Sequence, residues 1–341
     1  MKLALVSMSA LALITAPAAF GWGSTGHELV SGCAIDGLSK DVPAFLRAKG
    51  VRDEIALLGR EPDRWKNAGR AHDYERDPGH YINIGDDGLA ARIYSLDDLP
   101  VARSDFEMAY RLMNIRPPVP GYLPYSIIDG YQQIVKDFAY WRADRIAAKN
   151  AKTAEDRAWF AADMKLREML TIRDIGVWTH YVGDGSQPLH VSEHHDGWSK
   201  YPDPMTYPPA GLGAEITGIH SYFEGPFVRK NVTADMVRAK MPAYADCKCG
   251  IEKRVPEYLK KTLGYVTPFY VMMQAGGFRD STAEAKSFTV DRIAAGAAEA
   301  RDMIEDAWKA SANSTVGWPT INVADIESGK VILTRASFGA D

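Results

Sequence analysis

Residues 153–190 read TAEDRAWFAADMKLREMLTIRDIGVWTHYVGDGSQPLH. The stretch opens on a Thr with an acid three positions on, a pattern that resembles a capping box with Asp in place of the preferred Glu. Its body is rich in Ala, Leu and Met, which favour helix. Apolar residues recur at helical spacing, so the pattern predicts a helix over residues 153–183. At its end His180 and Asp184 stand four apart, on one helical face, where both can grip one ion. A Gly and Pro break follows, and His190 comes after it, free to point to a second ion nearby. One segment thus carries both the strongest fold signal and the strongest chemical one.

Outward from it, residues 124–149, 251–274 and 283–311 show the same periodicity. Ser24 is placed to cap a first helix running to about residue 38. Nothing reads as a strand meander. The expected fold is all-α, a single large helical domain over residues 22–311. The loop 191–217 holds four prolines with several glycines and aromatics. Loops of that length are commonly functional, so an active-site lid is expected there, with Trp198, Tyr201 and Tyr207 as a possible substrate wall. From residue 312 the chain changes character. Its "ESGK" reads as a turn between two short extended pieces, so an irregular or β-hairpin tail is expected over 312–341.

Residues 1–21 have the form of a secretory signal: Lys2, an apolar core, and small residues at the two cleavage-defining positions of "AFG". The run is too short to anchor the chain in a membrane, so an exported, periplasmic or extracellular monomer starting at Trp22 is expected. The formal charge of −4 gives no basic excess of the kind that advertises nucleic-acid binding. A phosphate substrate would therefore rely on bound metal for most of its neutralisation. Three cysteines leave one unpaired within the chain. Cys33 follows Leu29 and Val30 at helical spacing and reads as a core thiol, while Cys247 and Cys249 could bridge or bind metal.

A second i,i+4 pair, His220 and Glu224, occurs in "GIHSYFEG". Asp63 lies in "EPDRW" and His80 in "GHYINIG". Imidazole nitrogen and carboxylate oxygen suit zinc. Five of the eight histidines fit this constellation; His72, His194 and His195 remain, and the adjacent "HH" reads as loop surface.

Trp22 and His27 (W-x4-H), the segment "HYVGDGSQPLH", and His220 with Glu224 together resemble the superfamily of single-strand-specific zinc nucleases and zinc phospholipases C. The order Trp22, His27, Asp63, His80, His180, Asp184, His190, His220, Glu224 is similar to the family order throughout, over roughly residues 22–310. The resemblance implies a helical domain around three zinc ions. The first would take Asp63, His80, His180 and Asp184; the second His190, His220 and Glu224. The third would take His27, the amine and carbonyl of a freed Trp22, and Asp184 as a bridge. It further implies a hydroxide between the first and third zinc, with Asp63 orienting it or accepting its proton. Single-stranded nucleic acid or a nucleotide would be the substrate, with 3′-nucleotidase action conceivable. A freed α-amine has a pKa of about 7.7–8.0 and can become a ligand, which a peptide nitrogen cannot.

The departures bear on specificity. Lys66 stands where the nucleases have a transition-state arginine, keeping the charge without the bidentate fork. Asn83 replaces a base-reading aspartate, and Tyr81 occupies the place of a base-stacking aromatic. Glu224 is the residue type of the phospholipases. Against a phospholipase C, the positions of its choline pocket are here Thr25, Arg64 and Asp77, which make no aromatic cage. A non-catalytic zinc-stabilised protein is a further alternative, but Asp184 as a potential bridge argues for an open, catalytic site.

Overall fold

The computed structural model describes residues 22–116, 118–198 and 218–338. The signal segment 1–21, most of the expected lid, and Tyr201 and Tyr207 lie outside the described residues. Among those described, the architecture is all-α apart from one two-stranded hairpin. No described helix is long and apolar enough to cross a membrane.

The first elements are α1 (Gly23–Asp36), α2 (Val51–Leu58), α3 (Glu61–Arg64), α4 (Arg70–Arg76) and α5 (Arg103–Leu112). Two long helices follow, α6 (Leu123–Asn150) and α7 (Ala154–Asp184). Thr153 caps α7, accepting from the Asp156 N–H at 3.0 Å. Its hydroxyl also donates to the Asp156 carboxylate at 2.7 Å, in place of the reciprocal side-chain-to-backbone bond of a full capping box. The helices α6 and α7 run antiparallel, with Ile127 beside Trp178 and Asp137 beside Arg167.

The next stretch is short-jointed: α8 (Ile219–Tyr222), a π-helical turn over Phe223–Phe227, α9 (Val228–Asn231) and α10 (Ala234–Lys240). Then come α11 (Ile251–Leu263), α12 (Val266–Gln274), α13 (Gly277–Asp280), α14 (Ala283–Ser311) and α15 (Val323–Glu327). Thr282 caps α14 through the Ala285 N–H. The long α14 lies against α1, α6 and α7. One core, with Leu46, Ile55, Ile134, Phe138 and Ile304, fills the space among α2, α6, α7 and α14. A second, aromatic core gathers Trp22, Phe223, Phe227, Phe269 and Phe278. The donor residues lie between the two.

Three expectations are corrected. Ser24 is not the N-cap of α1; Trp22 is, without a side-chain cap. Tertiary anchoring sets the entry instead, because the Trp22 indole donates to the Gly183 carbonyl and Ser186 Oγ at 2.9 Å each. The single helix expected over 251–274 breaks into α11 and α12 at Gly264 and Tyr265. Pro268 then falls in the first turn of α12, where a missing N–H leaves no helical bond unmade. The hairpin exists, but as β1 (Thr315–Val316) paired antiparallel with β2 (Ile321–Asn322). Its turn is residues 317–320, and "ESGK" instead closes α15. The tail packs Val316, Val323 and Ile326 onto Ala139, Ala143 and Phe160 of α6 and α7. Cys247 and Cys249 are joined as a disulfide, and Cys33 is a buried free thiol.

Candidate metal centre

Eight donor side chains converge from separate elements. His27 comes from α1 and Asp63 from α3; His80 ends a 3-10 turn over Asp77–His80. His180 and Asp184 project from the last turns of α7, and His190 ends the short turn Pro188–His190. His220 lies in α8 and Glu224 in the π-helical turn. Such turns recur at functional sites; here one keeps Glu224 facing His220. All eight are buried or, for Asp63, nearly so: its side chain is 10% exposed.

The donor atoms form three groups: His27, His180 and Asp184, and Asp63, His80 and His180, which share His180; and, apart from them, His190, His220 and Glu224. His80 Nδ1 lies 2.9 Å from His180 Nε2 and 3.1 Å from Asp184 Oδ2. Asp63 Oδ1 is 3.8 Å from each of those two nitrogens. His27 Nε2 is 3.5 Å from Asp184 Oδ1 and 4.0 Å from Asp63 Oδ2. In the other group His220 Nε2 is 2.6 Å and His190 Nε2 3.2 Å from Glu224 Oε1. Asp63 and Asp184 each turn one oxygen toward His27 and the other toward the His80–His180 pair. That Asp63 faces both His27 and the His80–His180 pair, as Asp184 does, is something the sequence reading did not contain.

Backbone carbonyls aim the rings. The Nδ1 atoms of His180, His190 and His220 lie 2.8, 2.6 and 2.8 Å from the carbonyls of Gly59, His80 and His195. Each bond fixes the tautomer with Nε2 unprotonated and facing inward, the arrangement found behind metal-bound imidazoles. Gln187 Nε2 donates to Glu224, and Asp196 accepts from the Gly218 and His220 N–H groups. His27 stacks on His180 with ring centroids 3.7 Å apart. A Cβ on Gly183 would lie 3.2 Å from His27 Nδ1, so any side chain here would press the ring out of its present position by a few tenths of an ångström.

Burial pushes the His27 imidazole down to about 3, with His180 adding to it. His80 falls to about 4 through burial and Lys66, and His220 to about 4 through burial. Burial raises the Asp63 carboxyl, but His180, Lys66 and His80 outweigh it and hold it below the usual range. At Asp184 burial is likewise overcome by His180 and His190. Glu224 rises to about 8, because burial there exceeds the help from His190 and Gln187. Neutral imidazoles and ionised aspartates are the forms that ligate metal.

The residues present fit a metal cluster. Both nitrogens of His27, Asp184 Oδ1 and Glu224 Oε2 are buried with no hydrogen-bond partner. Orphaned polar atoms of this kind each cost about 1–3 kcal/mol, a cost that bound cations would remove. Five imidazoles and three carboxylates match the nitrogen and oxygen preference of zinc.

The other expected residues line a cavity of about 300 Å³ beside the donors, with Lys66, Asp77, Tyr81, Asn83, His195 and Leu189 in its wall. Lys66 is not a solvated charge: it is 7% exposed, with Nζ 2.7 Å from Asp63 Oδ1. Tyr81 donates its hydroxyl to the Pro118 carbonyl, and the Asn83 side-chain amide donates to that of Val119. Trp198 does not wall the cavity; it stacks on His194 and packs against Tyr270. Of the "HH" pair expected at the surface, His194 turns inward, stacked on Trp198, while His195 stays exposed and only its backbone carbonyl supports His220. Gln187 and Asp196 also went unread, although Gln187 lies inside the quoted "SQPLH".

No family model and no curated protein sequence matches the chain. Among solved structures it is similar to the alpha toxin from Clostridium absonum, 14% identical, with a TM-score of 0.45. The match covers 84% of this chain and 66% of that one, just under two thirds of the toxin's length.

Proposed function

We propose that this chain is an exported zinc-dependent phosphodiesterase of the single-strand nuclease and zinc phospholipase C superfamily, acting on single-stranded DNA or RNA. The observation that carries the reading is the convergence of eight buried donors, several of them orphaned, beside a cavity that Lys66 enters. Asp63, His80, His180 and Asp184 would hold one zinc, and His190, His220 and Glu224 a second. His27 and Asp184 would hold a third, with the Trp22 amine and carbonyl once residues 1–21 are removed. Bound zinc supplies positive charge against a phosphodiester and brings the pKa of water toward neutrality.

The chain's own groups orient that chemistry. Asp63 Oδ2, turned toward His27, accepts a proton from an attacking water and fixes its direction. Lys66 Nζ, held by Asp63 Oδ1, offers a cation to the phosphoryl oxygens as charge develops on them. Tyr81 gives a face on which a base stacks, a contact worth about 1–3 kcal/mol and tolerant of sequence. Asn83, its amide hydrogen committed to Val119, presents an acceptor to a base edge. Asp77 in the cavity wall and Arg64, paired outward with Glu61 at 2.7 Å, offer no aromatic face to a quaternary amine, so Tyr81 alone would not cage one.

Glu224 favours a second reading, hydrolysis of phospholipid head groups, because it is the residue type the phospholipases carry. The test is hydrolysis of single-stranded DNA, single-stranded RNA and phosphatidylcholine vesicles by the chain starting at Trp22, with zinc and with chelator. Zinc-dependent cleavage of nucleic acid is expected. Head-group release with nucleic acid untouched would transfer the proposal to the second reading, and inertness toward all three would end both.

A further inference from the structure

Outside the eight donors, Asp86, Glu193 and His194 place one ligand-type atom each within 4.8 Å of one another. His194 Nε2 lies 3.1 Å from Asp86 Oδ1. Glu193 is only 8% exposed, and among the described residues its carboxylate makes no hydrogen bond or ion pair. Burial first, then Asp86 and Asp87, act against its charge, and Arg92 acts for it. A pairing of His194 with Asp86 would account for those two side chains alone. It does not account for a third, buried carboxylate directed into the same space without a donor.

The backbone is shaped to this convergence. A Cβ on Gly85 would lie 3.0 Å from Asp87 Oδ1 and 3.3 Å from Glu193 Oε2, so the bare glycine lets both carboxylates approach. The Glu193 N–H donates to the Ile84 carbonyl at 3.1 Å, which ties the two segments side by side. The His194 ring is held by its stack on Trp198, with centroids 3.9 Å apart.

We propose that Asp86, Glu193 and His194 form a further divalent-metal site, separate from the candidate centre and suited first to zinc. One imidazole with two carboxylates is a three-ligand set that zinc accepts, leaving a position for water. The imidazole sets it apart from calcium and magnesium, which take oxygen. An ion here ties the segment around residue 86 to residues 191–198, which lead from His190 into the expected lid. The site does not rest on the catalytic reading.

The experiment is zinc content per chain after gel filtration in micromolar zinc, for the chain starting at Trp22 and for Asp86→Asn and Glu193→Gln. Each variant is expected to lose one equivalent, with far-UV circular dichroism unchanged. Equal zinc in all three proteins overturns the site; so does loss of several equivalents, which would make these residues a general support. If Glu193→Gln does not fold, Asp86→Asn decides, because that side chain is 41% exposed. Should the three-ion reading of the main centre fail, the totals drop in all three proteins while the difference of one equivalent persists.

Discussion

Gly183→Ala probes the candidate centre without touching a donor. The new methyl would lie 3.2 Å from His27 Nδ1, 3.5 Å from Cε1 and 3.5 Å from Val30 Cγ1. The imidazole cannot retreat freely, because its other face is stacked on His180 at 3.7 Å. It must shift by a few tenths of an ångström, carrying Nε2 away from Asp184 and Asp63. Alanine in mid-helix gains roughly 0.5–1 kcal/mol over glycine, and overpacking costs about 1–3 kcal/mol. Net destabilisation is therefore expected to be modest, about 0–2.5 kcal/mol. Metal affinity should suffer more. Disturbing ligand orientation typically costs about 10–100-fold, or about 1.4–2.8 kcal/mol. Competition titration against a chromophoric chelator should show one zinc equivalent weakened by that factor and the others unchanged. Urea denaturation of the metal-free protein supplies the stability term. If every equivalent keeps its affinity while the chain folds normally, His27 is not a ligand, and the three-ion arrangement loses its third member.

Three other outcomes are expected. Lys66→Ala should lower kcat on single-stranded substrate by about 10²–10³-fold, the usual scale for losing one charge-stabilising donor, and Lys66→Arg should restore most of it; an unchanged kcat would return Lys66 to a structural role. One glycine added before Trp22 should leave the fold intact but remove one zinc equivalent, measured by elemental analysis, since the Trp22 nitrogen would then be a peptide nitrogen. Asp144 is buried, and burial with the neighbouring Asp163 pushes its carboxyl up to about 8. Its contribution to stability is thus fully present below the unfolded value near pH 4 and is lost as pH rises through 8. Asp144→Asn should remove that slope: relative to the parent it gains about 3–4 kcal/mol between pH 5 and pH 8, at about 1.36 kcal/mol per unit. A pH-independent difference in urea denaturation would contradict this.

The long helices were legible because local chemistry and tertiary packing agree in them. Thr153 caps where the pattern places it, and α6, α7 and α14 end within a residue of the expected limits. Ser24 misled because Trp22 is fixed by partners more than 160 residues away, which no window of sequence contains. "ESGK" misled because a turn signal marks a chain reversal without saying what flanks it. Within the centre, His180 with Asp184 and His220 with Glu224 were legible as i,i+4 pairs, while His27, Asp63, His80 and His190 were placed by the order of residues the resemblance supplied. The carbonyls of Gly59, His80 and His195 were not, since every residue carries the same carbonyl and only the fold selects which one faces a ring. The inward turn of His194 was missed for a related reason: polarity suggested surface, and burial there depends on contacts with Trp198 and Tyr270.

The pairing of α14 with α1 and α7 has a consequence for the order of assembly. His27 rides on α1 and His180 on α7, yet the helix that both lean against begins only at Ala283. A polypeptide emerging from its N-terminus possesses every donor by residue 224 and still lacks the buttress that sets their spacing. Capture of the proposed ions in the native geometry is therefore expected late in synthesis, once α14 has joined α1 and α7.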